Sequence, residues 1–257
     1  RCLFFNKGVC RVCEKICKGK AIDFEQKEET IELDVGAIVA CTGFQQLDPK
    51  IPEEYAFGLH PDIITNLQFE RLIGQGLCRP SNGKVAKKVA FILCVGSRTM
   101  NKEEGVEHCC KIGCMASIKQ AMLLQKVVPD ADPWIFYTDI RADGKGYEEF
   151  YATAQDHNVR FVRGRVAEIV PLNNGGVLVK AEDTLIGAQV EGTFDLVVLA
   201  VGIVPNLGTE ELAKKLGIQV GSDGFLLERH YKLRPVDSQR AGLFVAGCAL
   251  SPKDVRE

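Results

Sequence analysis

The chain has 257 residues, 46% hydrophobic and 26% charged, with a formal net charge of −2. This is a globular composition, and so balanced a charge leaves no electrostatic footprint for nucleic acid or an anionic membrane. No apolar run reaches the roughly 18–20 residues of a membrane span, and cysteines stand where a secretory signal needs apolar residues, so a cytoplasmic protein is expected.

Residues 1–27 are short, basic and cysteine-rich, with Cys2, Cys10, Cys13 and Cys17 spaced C-x7-C-x2-C-x3-C. "VGAIVACTGF" (35–44) predicts a buried strand running into a glycine turn, because it is short, β-branched and ends at Gly43-Phe44. Residues 45–86 carry Pro49, Pro52, Pro61 and Pro80 and read as a connection with one short helix around "NLQFERLI". "KKVAFILC" (87–94) is a strand. After a polar loop, "CMASIKQAMLLQKVV" (114–128) has helical spacing at Met115, Ile118, Met122 and Leu123, and "PWIFYTDI" (133–140) is the next strand. A helix, "YEEFYATAQDHN", leads into one strand, "VRFVRGRVAEIV", a turn at Asn173-Asn174-Gly175-Gly176 and the strand "GVLVKAED". "FDLVVLAVGIVPN" (194–206) and "GLFVAGCA" (242–249) complete the strands, and "SPKD" predicts a helix start with Pro252 in its first position.

The alternation predicts an α/β fold, a mostly parallel sheet with helices on both faces. The expected division is a cysteine segment at 1–27, one domain from 28–86 and 207–257, and a Rossmann-like domain at 87–206. The chain begins inside a cysteine motif and ends at a helix start, so it is expected to be a fragment of something longer.

Eight of the eleven cysteines fall into two groups of four, the second being Cys94, Cys109, Cys110 and Cys114, spaced C-x14-CC-x3-C. Four thiolates are what an iron–sulfur cube or a tetrahedral zinc needs. Disulfides belong to small secreted domains, so ligation is the better reading. C-x2-C-x3-C fits a cluster better than the paired C-x2-C units of zinc knuckles. Cys2 is open, since a ligand upstream could take its place. For the second group the alternative is buried thiols plus a redox pair. Cys41 reads as a small buried hydrophobe, while Cys78 and Cys248 have no partner by spacing. His108 reads as a solvated loop residue or a donor to a cluster sulfur, His60 and His157 as surface residues, and Asp139 with Arg141 as a salt bridge.

Three strands end in glycine turns, "VACTGF", "VLAVGIVPN" and "GLFVAGCA". Ligands of doubly wound sheets bind at the carboxyl ends of strands, where a missing side chain lets backbone approach. In this order the three resemble the flavin disulfide-reductase family, with its "ATG", "G-x-x-P-N" and "G-x-F-A-x-G-D" turns. The resemblance implies FAD against Thr42, Gly43, Phe44, Gly202, Pro205, Gly247 and Cys248. It also implies a helix start at Pro252-Lys253 directed at the flavin, with Lys253 in the catalytic role. Two departures stand out: Cys248 replaces the final Asp, and "CVGSR" replaces the glycine phosphate loop after strand 87–94. A cluster where NAD would sit is the expectation that follows.

"CRPSNGKVAKKVAFILCVGSR", "IFYTDIRADGKGYEEFY", "RGRVAEI", "KLRPVDS" and "FVAGCALSPKD" closely resemble the A subunits of heterodisulfide reductase and the related quinone-interacting oxidoreductase subunits of sulfate reducers. The resemblance implies a thioredoxin-reductase-like flavoprotein with two dinucleotide-binding-type domains and a ferredoxin-like cysteine segment. It implies FAD, two 4Fe-4S clusters, electron transfer with flavin-based bifurcation in some members, and partner subunits of a redox complex, docking to a membrane complex being open. That family's second group should read Y-C-S-x-x-C-C; here the doublet comes first and Gly113 replaces a cysteine, which leaves Cys110 to substitute. The other readings are an NAD(P)H-dependent flavin thiol–disulfide reductase and a zinc-stabilised scaffold without turnover.

Overall fold

A computed structural model describes residues 2–173 and 175–256. Asn174, in the expected 173–176 turn, lies outside the described residues. The chain divides into two compact units after Gly36, nine residues beyond the boundary expected at residue 27.

In the first unit, α1 (Leu3–Lys7) and α2 (Val12–Ile16) are single turns of helix. No described residue in it is buried. Its order comes from Phe4 packed on Phe24 (ring centroids 4.2 Å apart), with the Arg11 guanidinium 5.2 Å from the Phe4 centroid. A segment with so little buried apolar surface lacks the hydrophobic term that stabilises larger domains, and such segments are usually held by a metal or cross-links.

In the second unit, β1 (Ile38–Ala40) and β2 (Phe44–Gln46) precede β3 (Ile63–Thr65) and α3 (Asn66–Ile73). Thr65 caps α3 in a reciprocal box with Gln68, which satisfies two helix-end donors. Next come β4 (Lys88–Val95), α4 (Gly113–Val127), β5 (Asp132–Tyr137), α5 (Tyr147–Asp156) and β6 (Arg160–Arg163). The chain continues through β7 (Val166–Pro171), β8 (Val177–Asp183), β9 (Ala188–Phe194), β10 (Leu196–Val201), β11 (Ile203–Pro205), α6 (Thr209–Leu216) and β12 (Leu243–Val245).

A five-stranded parallel sheet in the order β3-β10-β4-β5-β6 is the centre of this unit. Alternation along β4 sorts its two faces. Val89, Phe91 and Leu93 pack with Phe69 of α3, Ile118 and Leu124 of α4 and Ala154 of α5. Ala90 and Ile92 pack with Ile169, Val179 and Phe194 of the antiparallel sheet β7-β8-β9. Helices therefore cover one face only. The expectation of helices on both faces is corrected: the second layer is a β-meander, and β9 was not foreseen.

Three further differences are local. The strand expected at 159–170 breaks at Gly164, where a Cβ would lie 1.7 Å from Glu182 O. The stretch 194–206 divides among β9, β10 and β11. In the stretch read as a connection and assigned with 207–257 to one domain, β3 pairs with β10, so residues 63–65 join the parallel sheet and α3 packs against it. Elsewhere β1 pairs with β12 in parallel over a core that includes Ala40, Ala213, Leu226 and Val245, and β2 pairs with β11 antiparallel, with Phe44 and Ile203 packed with Phe225 and Cys110. No helix is long and apolar enough to cross a membrane among the described residues.

Candidate functional site: a buried thiol group at the end of β4

Cys94 near the end of β4 takes a left-handed backbone, φ +61°. The turn after it is closed by main-chain bonds: Ser97 N–H to Cys94 O at 3.3 Å, Arg98 N–H to His108 O at 3.3 Å and Val106 N–H to Gly96 O at 3.0 Å. A Cβ at Gly105 would lie 2.1 Å from Gly96 O, so the strap approaches at glycine contact distance. This strap returns Cys109 and Cys110 toward the sheet end, and α4 carries Cys114 in its first turn.

The four sulfurs form an interacting group. The Cys110 thiol donates to Cys109, and Cys94 and Cys114 each feel the charge of Cys109. That hydrogen bond from Cys110 pulls the Cys109 thiol down to about 5. The same bond, reinforced by burial, drives Cys110 far above the usual thiol range. Burial pushes Cys94 up and Cys114 up to about 11. Backbone donors converge on the sulfurs: Lys111 N–H reaches Cys109 Sγ at 3.3 Å, Gly113 N–H bonds Cys110 and Arg141 N–H bonds Cys114. Such N–H···S bonds stabilise sulfur that carries charge, so the donor set suits thiolate ligands of an iron–sulfur cube. Among the described residues no three His, Cys, Asp or Glu side chains are arranged to hold a single metal ion.

Arginines surround the group, and the sequence reading missed most of them. Arg98 bonds Cys94 and pairs with Asp139 at 2.7 Å, while Arg165 acts on Cys94 and Arg141 on Cys109. Asp139 therefore pairs with Arg98, and not with Arg141 as expected. The Arg after "CVGS" and the pair in "RGR" were the only signals, and neither is specific alone.

His108 departs from both readings made of it. Its Nε2 lies 2.7 Å from Ile203 O and its ring stands edge-on to Phe225, so it pins the strap to β11. His60 is half-buried beside Asp62, and His157 is exposed.

In the first unit Cys2, Cys10 and Cys13 are exposed and Cys17 is half-buried. Cys2 caps α1, Cys10 is left-handed at φ +80°, Cys13 lies on α2 and Cys17 ends it, accepting Ala21 N–H at 3.4 Å. Every cysteine of the chain is a free thiol. Cys41, expected to be buried, is exposed, as is Cys78.

The residues assigned to flavin have mixed surroundings. Gly43 (φ +72°) and Gly247 (φ +61°) have nothing within 4 Å of the point where a side chain would begin, and Thr42 Oγ1 is buried without a partner. Open glycine turns and an orphan hydroxyl fit a bound cofactor there. Phe44 and Pro205 pair across β2 and β11, and Asn206 Nδ2 donates to Thr42 O at 2.8 Å. Gly202 is different. It is buried, with its Cβ position 3.0 Å from Gly96 O, so its glycine serves the packing of two turns. Cys248 is half-buried and donates to Lys253 O at 3.2 Å. The helix expected at Pro252 and Lys253 is absent: residues 251–256 are bends and a turn, tied down by Tyr147 to Asp254 and by Arg256 to Lys145 O.

No family model matches the chain. Against curated proteins it is 42% identical over 253 residues to the A subunit of the H(2):CoB-CoM heterodisulfide,ferredoxin reductase of Methanothermobacter thermautotrophicus, covering 96% of this chain and 38% of that protein. It is also 44% identical over 243 residues to an iron-sulfur A subunit (numbered 2) of the CoB–CoM heterodisulfide reductase of Methanopyrus kandleri, covering 91% and 37%. The chain thus spans well under half the length of these relatives. Among solved structures it resembles the thioredoxin reductases of T. acidophilum (TM-score 0.51, 16% identity, 84% of this chain and 58% of that one) and Lactococcus lactis (0.52, 17%, 86% and 59%). The fold is thioredoxin-reductase-like, and with the sequence match running along almost its whole length, the chain belongs to the family of heterodisulfide reductase A subunits.

Proposed function

We propose that the chain is an electron-transfer part of an oxidoreductase of heterodisulfide-reductase type, using FAD and two 4Fe-4S clusters. The observation that carries this is the convergence of Cys94, Cys109, Cys110 and Cys114 with backbone N–H donors aimed at three of the sulfurs. In this reading Cys2, Cys10, Cys13 and Cys17 hold the first cluster. Thr42, Gly43, Phe44, Pro205, Gly247 and Cys248 line the flavin, with Gly202 supporting the turn beneath and Pro252-Lys253 nearby. When bound, FAD exchanges electron pairs and the clusters exchange single electrons.

The chain's own contribution is to hold, tune and shield. The strap 96–108 fixes Cys94 against the doublet, and Arg98, Arg141 and Arg165 offset the negative charge that four thiolates bring. No general acid–base pair is required, since the residues move no proton to a substrate. Bifurcation, partner subunits of a redox complex, docking to a membrane complex and a cytoplasmic setting belong to this proposal.

The test is iron, zinc and acid-labile sulfide per chain after anaerobic purification. About eight irons with matching sulfide are expected. Zinc without sulfide would overturn the reading and leave a zinc-stabilised scaffold; thiols with neither would leave the doublet as a redox pair.

A further inference from the structure

A second feature stands at the carboxyl ends of β4, β5 and β6, where open parallel sheets bind their ligands. It is a cavity of ≈ 370 Å³ walled by Ser97, Arg98, Thr138, Arg163, Arg165 and Thr184, with Cys94 at its edge. Every charged side chain in the wall is an arginine, in a chain whose net charge is −2. Arg98 has Asp139 as an ionic partner, and Arg165 Nε reaches only the Tyr55 hydroxyl at 3.4 Å. Among the described residues no carboxylate stands at ion-pair distance from Arg163 or Arg165. Asp139 acts on both Arg98 and Arg163, and Glu54 acts on Arg165 from beyond ion-pair distance, so three guanidinium groups share few carboxylates, and an anion between them offsets their repulsion.

Ser97 supplies an independent observation. Its side chain is fully buried, and its Oγ has no hydrogen-bond partner. The turn is closed by the Ser97 main chain, so alanine would build it equally well. A buried hydroxyl left unpaired costs about 1–3 kcal/mol and calls for a partner outside the chain. Guanidinium forks and a hydroxyl donor together match a tetrahedral oxyanion. The volume exceeds what one free ion fills and lies in the range of small-molecule sites.

We propose that this cavity binds a phosphate-type oxyanion, free or carried on a small molecule, held by Arg163, Arg165, Arg98 and Ser97. The glycine between the two outer arginines is part of the device. Gly164 lets the backbone cross Glu182 O, so the side chains at 163 and 165 flank the same wall. The site stands whether or not the thiols hold a cluster; if they do, an anion beside Cys94 makes that cluster harder to reduce.

Calorimetric titration of the full chain at low ionic strength with inorganic phosphate, pyrophosphate and ADP tests this. Saturable binding of at least one probe is expected, weakened at least tenfold by Arg163→Met and by Ser97→Ala, and abolished in Arg163→Met/Arg165→Met. Without phosphate, Ser97→Ala should raise the denaturation midpoint or leave it no lower than wild type, because it deletes an unpaired buried hydroxyl. Equal affinity for phosphate and ADP identifies the free ion as sufficient, and tighter ADP binding identifies a carried phosphate. Failure of all three probes to bind, or binding that survives the double substitution, would overturn the proposal.

Discussion

The sulfur of Cys110 stands 2.9 Å from the point where a side chain at Gly113 would begin. Real Cβ atoms do not approach sulfur so closely, so residue 113 must be glycine while Cys110 holds this place. One turn of chain thus offers a single sulfur position reachable from either residue. Gly113→Ala should keep the fold, since alanine favours the helix, but displace Cys110 and lower the iron content. On the two-cluster reading, up to about half the iron is at stake. Cys110→Ser/Gly113→Cys should restore what Cys110→Ser loses. Iron and sulfide per chain measure both, and full iron in Gly113→Ala would remove Cys110 from the ligand set.

Asp62 is fully buried and is held by Arg79 at 2.7 Å, by Ser81 N–H at 3.0 Å and by the Ser81 hydroxyl. Arg79 also bonds Gly175 O and reaches Asp195 at 3.5 Å. Arg79→Met leaves a buried carboxylate unpaired, which costs about 3–5 kcal/mol. Urea unfolding at neutral pH should show that loss, whereas Asp62→Asn/Arg79→Met should recover part of it. Equal stability of wild type and Arg79→Met would show that Asp62 does not depend on the pair.

Gly164→Ala places a methyl group 1.7 Å from Glu182 O. The two strands cannot separate without breaking the Thr184 N–H bond to Arg163 O at 2.8 Å. A loss of at least about 3 kcal/mol is expected, at the upper end of overpacking effects. Circular dichroism during urea titration reads it directly.

Glu70 carries a pH dependence. Burial pushes its carboxyl up, but hydrogen bonds from Lys119 and Gln120 outweigh this and hold it below its ordinary value of 4.5. A folded-state value below the unfolded one means stability present above about pH 4.5 and lost as pH falls through the folded value. The pair is partly exposed, so the effect is at most about 1 kcal/mol. Glu70→Gln should therefore flatten the stability curve between pH 5 and pH 3 by about that amount. A wild-type slope in that variant would place the acid sensitivity elsewhere.

Much of the fold was legible because its signals are local. The apolar run of 87–94 and the 3.6-residue spacing of 114–128 became β4 and α4 within a residue or two. β9 was missed because "AQVEGTF" alternates without an apolar face strong enough to announce a strand, and its burial comes only at Phe194. β3 was missed because three residues carry no periodicity; its pairing with β10 spans more than 130 residues of sequence. Residues 251–256 form bends and a turn, with Asp254 and Arg256 tied to the 145–147 loop, a long-range contact that local sequence does not announce.

The order of residues alone supplied the donors: two sets of four thiols, their spacing, and the glycines that end strands. Their surroundings came from tertiary structure. Only the return of the strap to β4 brings Cys94 to Cys109, and only the parallel order β4-β5-β6 turns Arg98 and Arg163 toward one cavity. Spacing encodes what neighbours in the chain can do together. Which distant charges and hydroxyls face one another depends on strand order and crossover, set by burial across the whole sheet.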